Sequence, residues 1–309
     1  MAGDWGSKPC YFSGSFVPLN QANLNIQTHA LQYGTACFGG IRAYFNEEKS
    51  QLYLFRIEDH YNRLCASAKI LQMKMPLDFE QFKQTILTIL RDGQWRQNTY
   101  LRPILYKSSL ELSPRLHDVK DDLAIYAIPL NDYLDINKGL KTAISSWTRI
   151  NDNQIPTRAK ATGGYINSAL AKSEALQNGF DEAIFLDHAG NISEGSAENI
   201  FIVKNKKLIT PSLSSSILEG ITRRTVFKIA QSLGIDIEER SIARTELYTA
   251  DELFFAGTGV QIAWVQSVDR REIGSGDCGP VTTQIRDFYF EVITGNKSFQ
   301  DGWLTPVYE

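Results

Sequence analysis

The amino-acid sequence predicts a chain of the α/β class, or of the related α+β class. Three observations support this prediction: the chain has 309 residues, 43% of them are hydrophobic, and helical and strand-like patterns intermix along both halves. Such a length suggests about two domains and leaves room for a buried core with an enclosed site. Helices packed on sheets are therefore expected in each half.

The first half begins with a predicted hairpin, a strand and a helix. The segment CYFSGSFVP favours a hairpin that turns at Ser13 and Gly14, and QLYLFRI is typical of a strand. A helix is expected from about Glu58, because apolar residues recur there with helical spacing. These residues form one stripe: Ile57, Tyr61, Leu64, Ala68 and Leu71.

A second helix is predicted to begin after Asp78 and to end at Gly93. Asp78 is a suitable N-cap residue, and Gln81 follows it with the spacing of a capping box. Phe82 and Ile86 are among the residues expected to face the core.

A strand is predicted over residues 99–106, TYLRPILY. Period-two alternation places the side chains of Tyr100 and Arg102 on the same face of this strand. Pro103 has no backbone N–H, so it predicts a strand at the edge of a sheet or a strand with a bulge.

The polar stretch over residues 130–138 is interpreted as a connection between two domains. It divides the chain into a smaller N-terminal α/β domain over residues 1–129 and a larger C-terminal domain over residues 139–309. In the second domain, strands are expected at GLKTAISSW, DEAIFLD, ISEGSAENIFIV and KLITP, and helices over about 165–178 and 222–233, each closed by a glycine.

Charge, hydropathy and cysteine spacing limit the possible partners. Lys plus Arg number 32 against 35 Asp plus Glu, a net charge of −3, which favours neither nucleic acid nor an anionic membrane surface. The longest apolar run, residues 123–130, is shorter than a membrane span requires. No apolar secretory segment is visible and the four cysteines lie far apart, so a reduced, cytoplasmic protein with small-molecule substrates is expected.

The common catalytic motifs are absent. The four histidines are scattered singly, so no metal site is expected. Residues 274–279 match the glycine pattern of dinucleotide-binding loops, but too little chain follows them for the second strand of such a unit. The pattern is therefore interpreted as a turn before a helix that begins at Pro280.

Lys160 is the first candidate for covalent chemistry. It lies between Ala159 and Ala161, and two glycines follow closely. A lysine with such small neighbours can lose its hydration, which frees the neutral amine to form a Schiff base with a carbonyl group. A surface lysine beside a flexible turn is the alternative from the local sequence.

Two acidic residues precede a strongly apolar strand. Glu194 and Glu198 lie in ISEGSAENIFIV, and either carboxylate needs a partner if this segment is buried. A carboxylate here can pair with the protonated ring nitrogen of a pyridine cofactor. Alternatively, burial begins only after Asn199 and both acids lie in water.

Two glycine-containing segments are candidates for binding anions. Gly220 precedes a helix that begins at Ile221 and Thr222, where free N–H groups and a hydroxyl favour phosphate. Residues 257–259, Gly-Thr-Gly, expose a second set of backbone amides after an apolar strand. Each segment is also compatible with a helix cap or a turn that binds nothing.

An amine, an acid and an anion site are together what pyridoxal 5′-phosphate requires, and here the sequence resembles a known family. It resembles the branched-chain amino acid aminotransferases of the class IV, fold type IV pyridoxal-phosphate group. The similarity extends over nearly the whole chain, through HALQYGTACFGGIRAY, HYNRLCASAKI, YLRPILY, SSWTR, IPTRAKATGGYINSALAKSEA, DEAIFLDHAGNISEGSAENIF, LEGITRRT, ADELFFAGTG and GSGDCGPVT.

The resemblance implies a fold, an assembly and an activity. The fold is the two-domain fold type IV, with a barrel-like sheet in the larger C-terminal domain, and the assembly is a homodimer or a group of dimers. The activity is transfer of the amino group of L-leucine, L-isoleucine or L-valine to 2-oxoglutarate by a ping-pong mechanism.

The resemblance also implies a role for each site residue. Lys160 is the catalytic amine, Glu194 binds the pyridine nitrogen and Tyr165 binds the phenolic oxygen. Phosphate binding is implied for Arg63, Ile221, Thr222 and Thr258. Substrate binding is implied for Tyr33, Phe38, Tyr100, Arg102 and Gly259, with the arginine near the distal carboxylate of glutamate.

Three departures from the family pattern concern substrate range. Gly39 stands where the family usually has Glu, residues 257–265 read GTGVQIAWV where it often has GTAAEITPV, and the loop over residues 107–116 matches only loosely. A D-amino acid or (R)-amine transaminase and an aminodeoxychorismate lyase are therefore alternatives on the same fold. A binding protein without catalysis is disfavoured by the intact Lys160 and Glu194.

Overall fold

The computed structural model describes residues 5–130 and 138–308. The chain divides into two compact units: the first contains residues 5–130, 159–163 and 292–308, and the second contains residues 138–158 and 164–291. Most of the expected connection, residues 131–137, lies outside the described residues. The proposed domain boundaries therefore stay a prediction.

The first unit is built on an antiparallel sheet whose strands differ in length. Its opening hairpin turns at Ser13 and Gly14, which both have positive φ angles of 49° and 86°, as a tight hairpin turn requires. The expected hairpin is thus confirmed. The strands of residues 5–130 are β1 (Pro9–Phe12), β2 (Ser15–Pro18), β3 (Ala36–Phe38), β4 (Ile41–Asn46), β5 (Gln51–Phe55), β6 (Thr99–Lys107) and β7 (Asp121–Pro129).

Three helices belong to this unit: α1 (His29–Tyr33), α2 (Ile57–Ile70) and α3 (Phe79–Asp92). The predicted capping box of α3 is confirmed, since Gln81 N donates to Asp78 Oδ1 at 2.9 Å and Asp78 N donates to Gln81 Oε1 at 3.0 Å. Helices α2 and α3 bury their apolar faces in one core with the sheet, where Leu64, Phe82 and Ile86 are enclosed.

Strand β6 lies inside the sheet, so of the two expectations for Pro103, an edge strand or a bulge, the edge strand was wrong. It pairs with β7 along its whole length, and on its other side with β4 and then β3. The N and O atoms of a strand residue point to the same side, and Pro103 O accepts from Gly39 N at 2.9 Å. The missing N–H therefore faces the junction of β3 and β4, where the ladder is already interrupted.

The second unit holds a nine-stranded sheet with parallel and antiparallel pairs, which curls into a half-barrel. Its spatial order is β10-β9-β8-β15-β14-β11-β12-β13, with β16 paired to β15. The strands are β8 (Leu140–Ile144), β9 (Glu182–Leu186), β10 (Ile192–Gly195), β11 (Asn199–Lys204), β12 (Lys207–Thr210), β13 (Ile237–Glu239), β14 (Glu252–Gly257), β15 (Gln261–Val268) and β16 (Arg271–Glu272).

Helix α4 (Tyr165–Gln177) connects the parallel strands β8 and β9, and its small residues Ala171 and Ala175 pack closely on Phe185. Helix α5 (Ile221–Ser232) follows β12 and buries Val226 and Ile229. The mixed α/β class predicted from the sequence is confirmed.

The glycine pattern at residues 274–279 is a turn, as expected, and α6 (Pro280–Ile293) follows it. The buried carboxylate of Glu252 accepts from Val281 N at 3.0 Å and from Thr282 N at 2.7 Å. It thereby satisfies two of the free N–H groups at the helix start. After α6, strand β17 (Leu304–Pro306) pairs antiparallel with β5 in the first unit.

No helix within residues 5–130 and 138–308 is long and apolar enough to cross a membrane.

Candidate active site

Lys160 is held firmly by the first unit. Its carbonyl oxygen accepts from Phe38 N at 3.0 Å and its backbone N donates to Ser67 Oγ at 3.2 Å. Ala161 forms a bridge with Cys37, and both alanines that flank the lysine are buried. The ammonium group lies 5.2 Å from the centre of the Phe38 ring. Lys160 itself is half-buried, and its backbone is fixed on both sides by these contacts.

Small residues allow the lysine segment to approach the chain after α1. A Cβ atom on Gly34 would lie 3.0 Å from Gly163 Cα. Gly163 N and Thr162 Oγ1 both donate to the carbonyl of Gly34, at 3.2 Å and 2.8 Å. Close contact between these backbones places Lys160 beside β3.

Arg63 is connected to Lys160 through one hydroxyl group. Ser67 Oγ accepts from Lys160 N and donates to the carbonyl of Arg63 at 2.9 Å, one helical turn earlier on α2. Helix α2 thus fixes the backbone of Lys160 through Ser67, and Arg63, one turn earlier on the same helix, is half-buried.

Three of the predicted substrate residues contact one another in the first unit. The guanidinium carbon of Arg102 lies 4.4 Å from the Phe38 ring centre and 5.2 Å from that of Tyr100, and Arg102 Nε donates to the Tyr100 hydroxyl at 3.2 Å. Alternation along β6 is thus confirmed for this pair. Gly40 is needed beside them, since a Cβ there would lie 2.2 Å from the Tyr100 hydroxyl.

Tyr33 ends α1 and is 37% exposed. Its ring lies 4.8 Å from that of His29, which is completely buried. The two imidazole nitrogens of His29 bond with Thr35 Oγ1 and with the carbonyl of Ser113, each at 2.7 Å. His29 is thus a structural residue, as expected, and it joins α1 to the loop over residues 108–116.

Glu194, in the second unit, is 4% exposed, so the alternative that it lies in water was wrong. The pairing of β10 with β9 shifts register between Ile192 and Gly195, as at a β-bulge. A bulge redirects side chains, and here Ser193 and Glu194 are both buried.

The carboxylate of Glu194 accepts from three donors. Arg149 Nη2 is 2.9 Å from one oxygen, and the other oxygen accepts from Asn199 Nδ2 at 3.0 Å and from Leu218 N at 3.1 Å. Asn199 Nδ2 also donates to the Leu218 carbonyl at 2.9 Å. This acid is therefore connected to the segment that leads into α5.

The start of α5 depends on a glycine. A Cβ atom on Gly220 would lie 2.1 Å from Asn199 Oδ1, so only glycine fits between that amide and the helix. Ile221 and Thr222, the first two helical residues, are both buried. The N-terminus of a twelve-residue helix favours an anion here.

Thr258 and Gly259 lie in the half-buried turn between β14 and β15. Among residues 5–130 and 138–308, apart from Gly259 and its two chain neighbours, no heavy atom lies within 4 Å of the position that a Cβ of Gly259 would take. Tyr165, half-buried, is the first residue of α4.

Glu198 is buried as well, in the turn that joins Glu194 to β11. Burial, followed by the nearby charge of Glu182, raises the pKa of Glu198 well above its ordinary value. Glu182 in turn accepts from Lys172 Nζ at 2.6 Å. The raised pKa favours the protonated form of Glu198, which can donate a hydrogen bond to Glu182.

Arg149 and Asn199 were missed as site residues by the sequence analysis. Arg149 stands in SSWTR, which was used only for the resemblance, and Asn199 stands in ISEGSAENIFIV, where it was considered only as a point at which burial could begin. The need of a buried Glu194 for a cationic partner was the available signal, but nothing local identified which of the many arginines would supply it.

Comparison with known proteins identifies the class. Residues 36–268 match the family model described as Amino-transferase class IV. The chain belongs to this family, and the resemblance stated from its sequence motifs is confirmed.

Individual relatives agree with the family model. A "probable branched-chain-amino-acid aminotransferase" of Aquifex aeolicus is 47% identical over 97% of this chain and 96% of its own. The branched-chain aminotransferase of Thermoproteus uzoniensis, solved with norvaline, has a TM-score of 0.94 at 41% identity, covering 98% of this chain and all of that one. The enzyme of Thermobaculum terrenum in its PLP-form has a TM-score of 0.94 at 37% identity, over 99% and 100%.

Proposed function

We propose that this class IV aminotransferase uses pyridoxal 5′-phosphate to transfer the amino group of L-leucine, L-isoleucine or L-valine to 2-oxoglutarate. The observation that carries the substrate assignment is the contact of Arg102 with both Phe38 and Tyr100. It combines an apolar aromatic surface with one cation, which suits a site that accepts an aliphatic side chain in one half-reaction and a carboxylate in the other. The names of the relatives support the same substrates.

The residues present fit this coenzyme by their chemistry. Lys160 supplies an amine with buried neighbours, Glu194 is a buried carboxylate with three donors on its oxygens, and the start of α5 favours an anion. The bound coenzyme supplies an electron sink that stabilises negative charge at the substrate Cα.

Each residue then has a definite task in the proposed mechanism. Lys160 would hold the coenzyme and would move a proton between the substrate Cα and the coenzyme C4′, as base and then as acid. Glu194 would keep the ring nitrogen protonated, and Tyr165 would donate a hydrogen bond to the phenolic oxygen. The phosphate is bound by Arg63 with a charge-assisted fork, and by Ile221, Thr222 and Thr258 through amides and hydroxyls.

Substrate groups are assigned in the same proposal. Tyr33 and Phe38 wall the space for the side chain, in a homodimer where one of them serves the neighbouring subunit's site. The backbone amide at Gly259 receives the α-carboxylate, where the open space above the turn leaves room for it. Tyr100 and Arg102 bind the distal carboxylate of glutamate. We place the enzyme in the cytoplasm.

A second candidate is transamination of a D-amino acid or an (R)-amine. Gly39, in place of the family's usual Glu, removes one carboxylate beside Phe38, and residues 257–265 depart from the usual loop. Both changes concern substrate contacts rather than the coenzyme. A lyase that releases pyruvate is disfavoured because the Tyr100 and Arg102 pair is intact.

A half-reaction experiment tests the proposal. The purified protein is loaded with pyridoxal phosphate, and loss of its visible absorbance is followed after L-leucine, L-glutamate, D-alanine or an (R)-amine is added singly. Conversion by L-leucine and L-glutamate alone is expected. Conversion by D-alanine or the amine instead would support the second candidate, and a Lys160→Ala variant that turned over at the wild-type rate would contradict the mechanism.

A further inference from the structure

Both residues of the ion pair between Arg149 and Glu194 are buried. Arg149 is 9% exposed and Glu194 is 4% exposed, and the two groups approach to 2.9 Å. The two residues are 45 positions apart, so neither helix spacing nor a hairpin brings them together. Their pairing results from the packing of the second unit.

Arg149 is also held in place by contacts other than the one to Glu194. Its backbone N donates to the Leu186 carbonyl at 2.8 Å, at the end of β9. Its Nη1 donates to Ser168 Oγ at 3.3 Å, and its guanidinium carbon lies 5.4 Å from the centre of the Phe185 ring. The guanidinium group therefore has little freedom to turn away from Glu194.

The charge of Glu194 depends on these donors. Burial alone favours the neutral form of an acid, and a neutral carboxyl group would hold the proton that the ring nitrogen of the coenzyme needs. Three donors directed at the two oxygens favour the ionised form, and among these three only Arg149 carries a positive charge. An unpaired charge at this depth is strongly unfavourable.

We propose that Arg149 is a positioning residue which keeps Glu194 ionised and correctly oriented, so that the proton stays on the ring nitrogen of the coenzyme. The inference rests on the proposed function, because it assigns Glu194 to that nitrogen. Arg149 itself acts only through Glu194, and this gives the proposal a distinctive signature in a double-mutant cycle.

The test uses the coenzyme-loaded enzyme and compares Arg149→Met, Arg149→Lys, Glu194→Gln and the Arg149→Met/Glu194→Gln double variant. The measurements are the absorbance of the bound coenzyme as a function of pH and the rate at which it is released. Arg149→Met is expected to shift the pH profile and to release the coenzyme about tenfold to a hundredfold faster, the usual range for losing a hydrogen bond to a charged group. Arg149→Lys is expected to restore most of the pH profile, because it restores the charge.

In the Glu194→Gln background, Arg149→Met is expected to change neither measurement further. The control is Arg56→Met in the first unit, which removes an ion pair of similar length, between the buried Arg56 and the half-buried Asp59 at 2.8 Å. That variant should lose stability without moving the pH profile. The positioning role would be wrong if Arg149→Met, like this control, lowered stability and left the pH profile unchanged. It would also be wrong if the effect of Arg149→Met on the pH profile persisted in full in the Glu194→Gln background.

The two proposals fail in different ways. A wild-type protein that takes up no pyridoxal phosphate overturns the proposed function and this role together. A wild-type protein that binds the coenzyme and transaminates L-leucine, while Arg149→Met keeps the wild-type pH profile and release rate, overturns the role of Arg149 alone. If Arg149→Met does not fold, the same comparison is decided with Arg149→Lys, which should then release the coenzyme faster only when Glu194 is present.

Discussion

Gly39 and Pro103 face each other where β3 ends and β4 begins, and a Cβ atom on Gly39 would lie 2.8 Å from Pro103 Cγ. The same two residues share a hydrogen bond, from Gly39 N to Pro103 O at 2.9 Å. Gly39, one of the three places where the sequence is expected to depart from the family pattern, is therefore packed directly against the proline inside β6.

Replacing Gly39 by Ala is expected to lower the free energy of unfolding by about 1–3 kcal/mol, because the added methyl group overpacks a filled position. Urea unfolding monitored by circular dichroism measures the change. Pro103→Ala made together with Gly39→Ala should recover part of the loss, since it removes the ring that the methyl group meets. Full additivity of the two substitutions would show that this contact is unimportant.

Arg102→Met should separate the two substrates of the proposed reaction. The variant keeps apolar contact with Phe38 but loses the cation, so kcat/KM for L-glutamate should fall about tenfold or more, while that for L-leucine changes little. Single-substrate half-reactions provide both values. Equal losses for the two amino acids would remove the role assigned to Arg102.

Glu252→Gln should destabilise the second unit through the start of α6. The carboxylate accepts from Val281 N and Thr282 N, whereas an amide offers one oxygen and turns an NH2 group toward the other donor. A loss of about 1–2 kcal/mol is expected, similar to the loss of an N-cap. The thermal midpoint checks it, and an unchanged midpoint would mean that the cap contributes nothing.

Glu198 should make the protein less stable at higher pH. Its pKa is raised in the folded protein by burial first and by Glu182 next, so the folded state keeps a proton that the unfolded chain has already lost. The free energy of unfolding therefore decreases as pH rises from the ordinary pKa toward the raised one. Glu198→Gln should remove this decrease, as measured by urea unfolding across a pH series.

Glu174 provides the control of opposite sign for that experiment. Hydrogen bonds from Ser145 and then Ser146 lower the pKa of Glu174, so its contribution is present above the ordinary pKa and is lost as pH falls through the lowered one. Glu174→Gln should therefore change the free energy of unfolding below the ordinary pKa of glutamate. Glu198→Gln should change it above that pKa. Identical changes in both variants would contradict these assignments.

Local elements and most chemistry-bearing residues were predictable from the sequence. The capping box at Asp78 and Gln81 and the turn at Ser13 and Gly14 depend on interactions within a few residues. The order of the motifs around Lys160 and Glu194 was sufficient to indicate the family. These features were readable because caps, turns and periodicity act locally.

Pro103 shows where local rules fail. The missing N–H argues for an edge strand as long as its neighbours are unknown. In the structure the interruption between β3 and β4 lies opposite that N atom, so a central strand tolerates proline. Sheet position depends on which distant strands pair, and no property of the strand alone specifies it.

By itself the sequence determined which groups are available: an amine at Lys160, an acid at Glu194 and backbone amides at the glycine turns. Only the tertiary structure decided the contacts and the charge of these groups. It placed Lys160 over Phe38, gave Glu194 the distant Arg149 as its counter-ion, and buried Glu198 beside Glu182, which raises the pKa of Glu198. The reason is physical, since the charge of a buried group depends on neighbours that strand register and packing bring together, often from far along the chain.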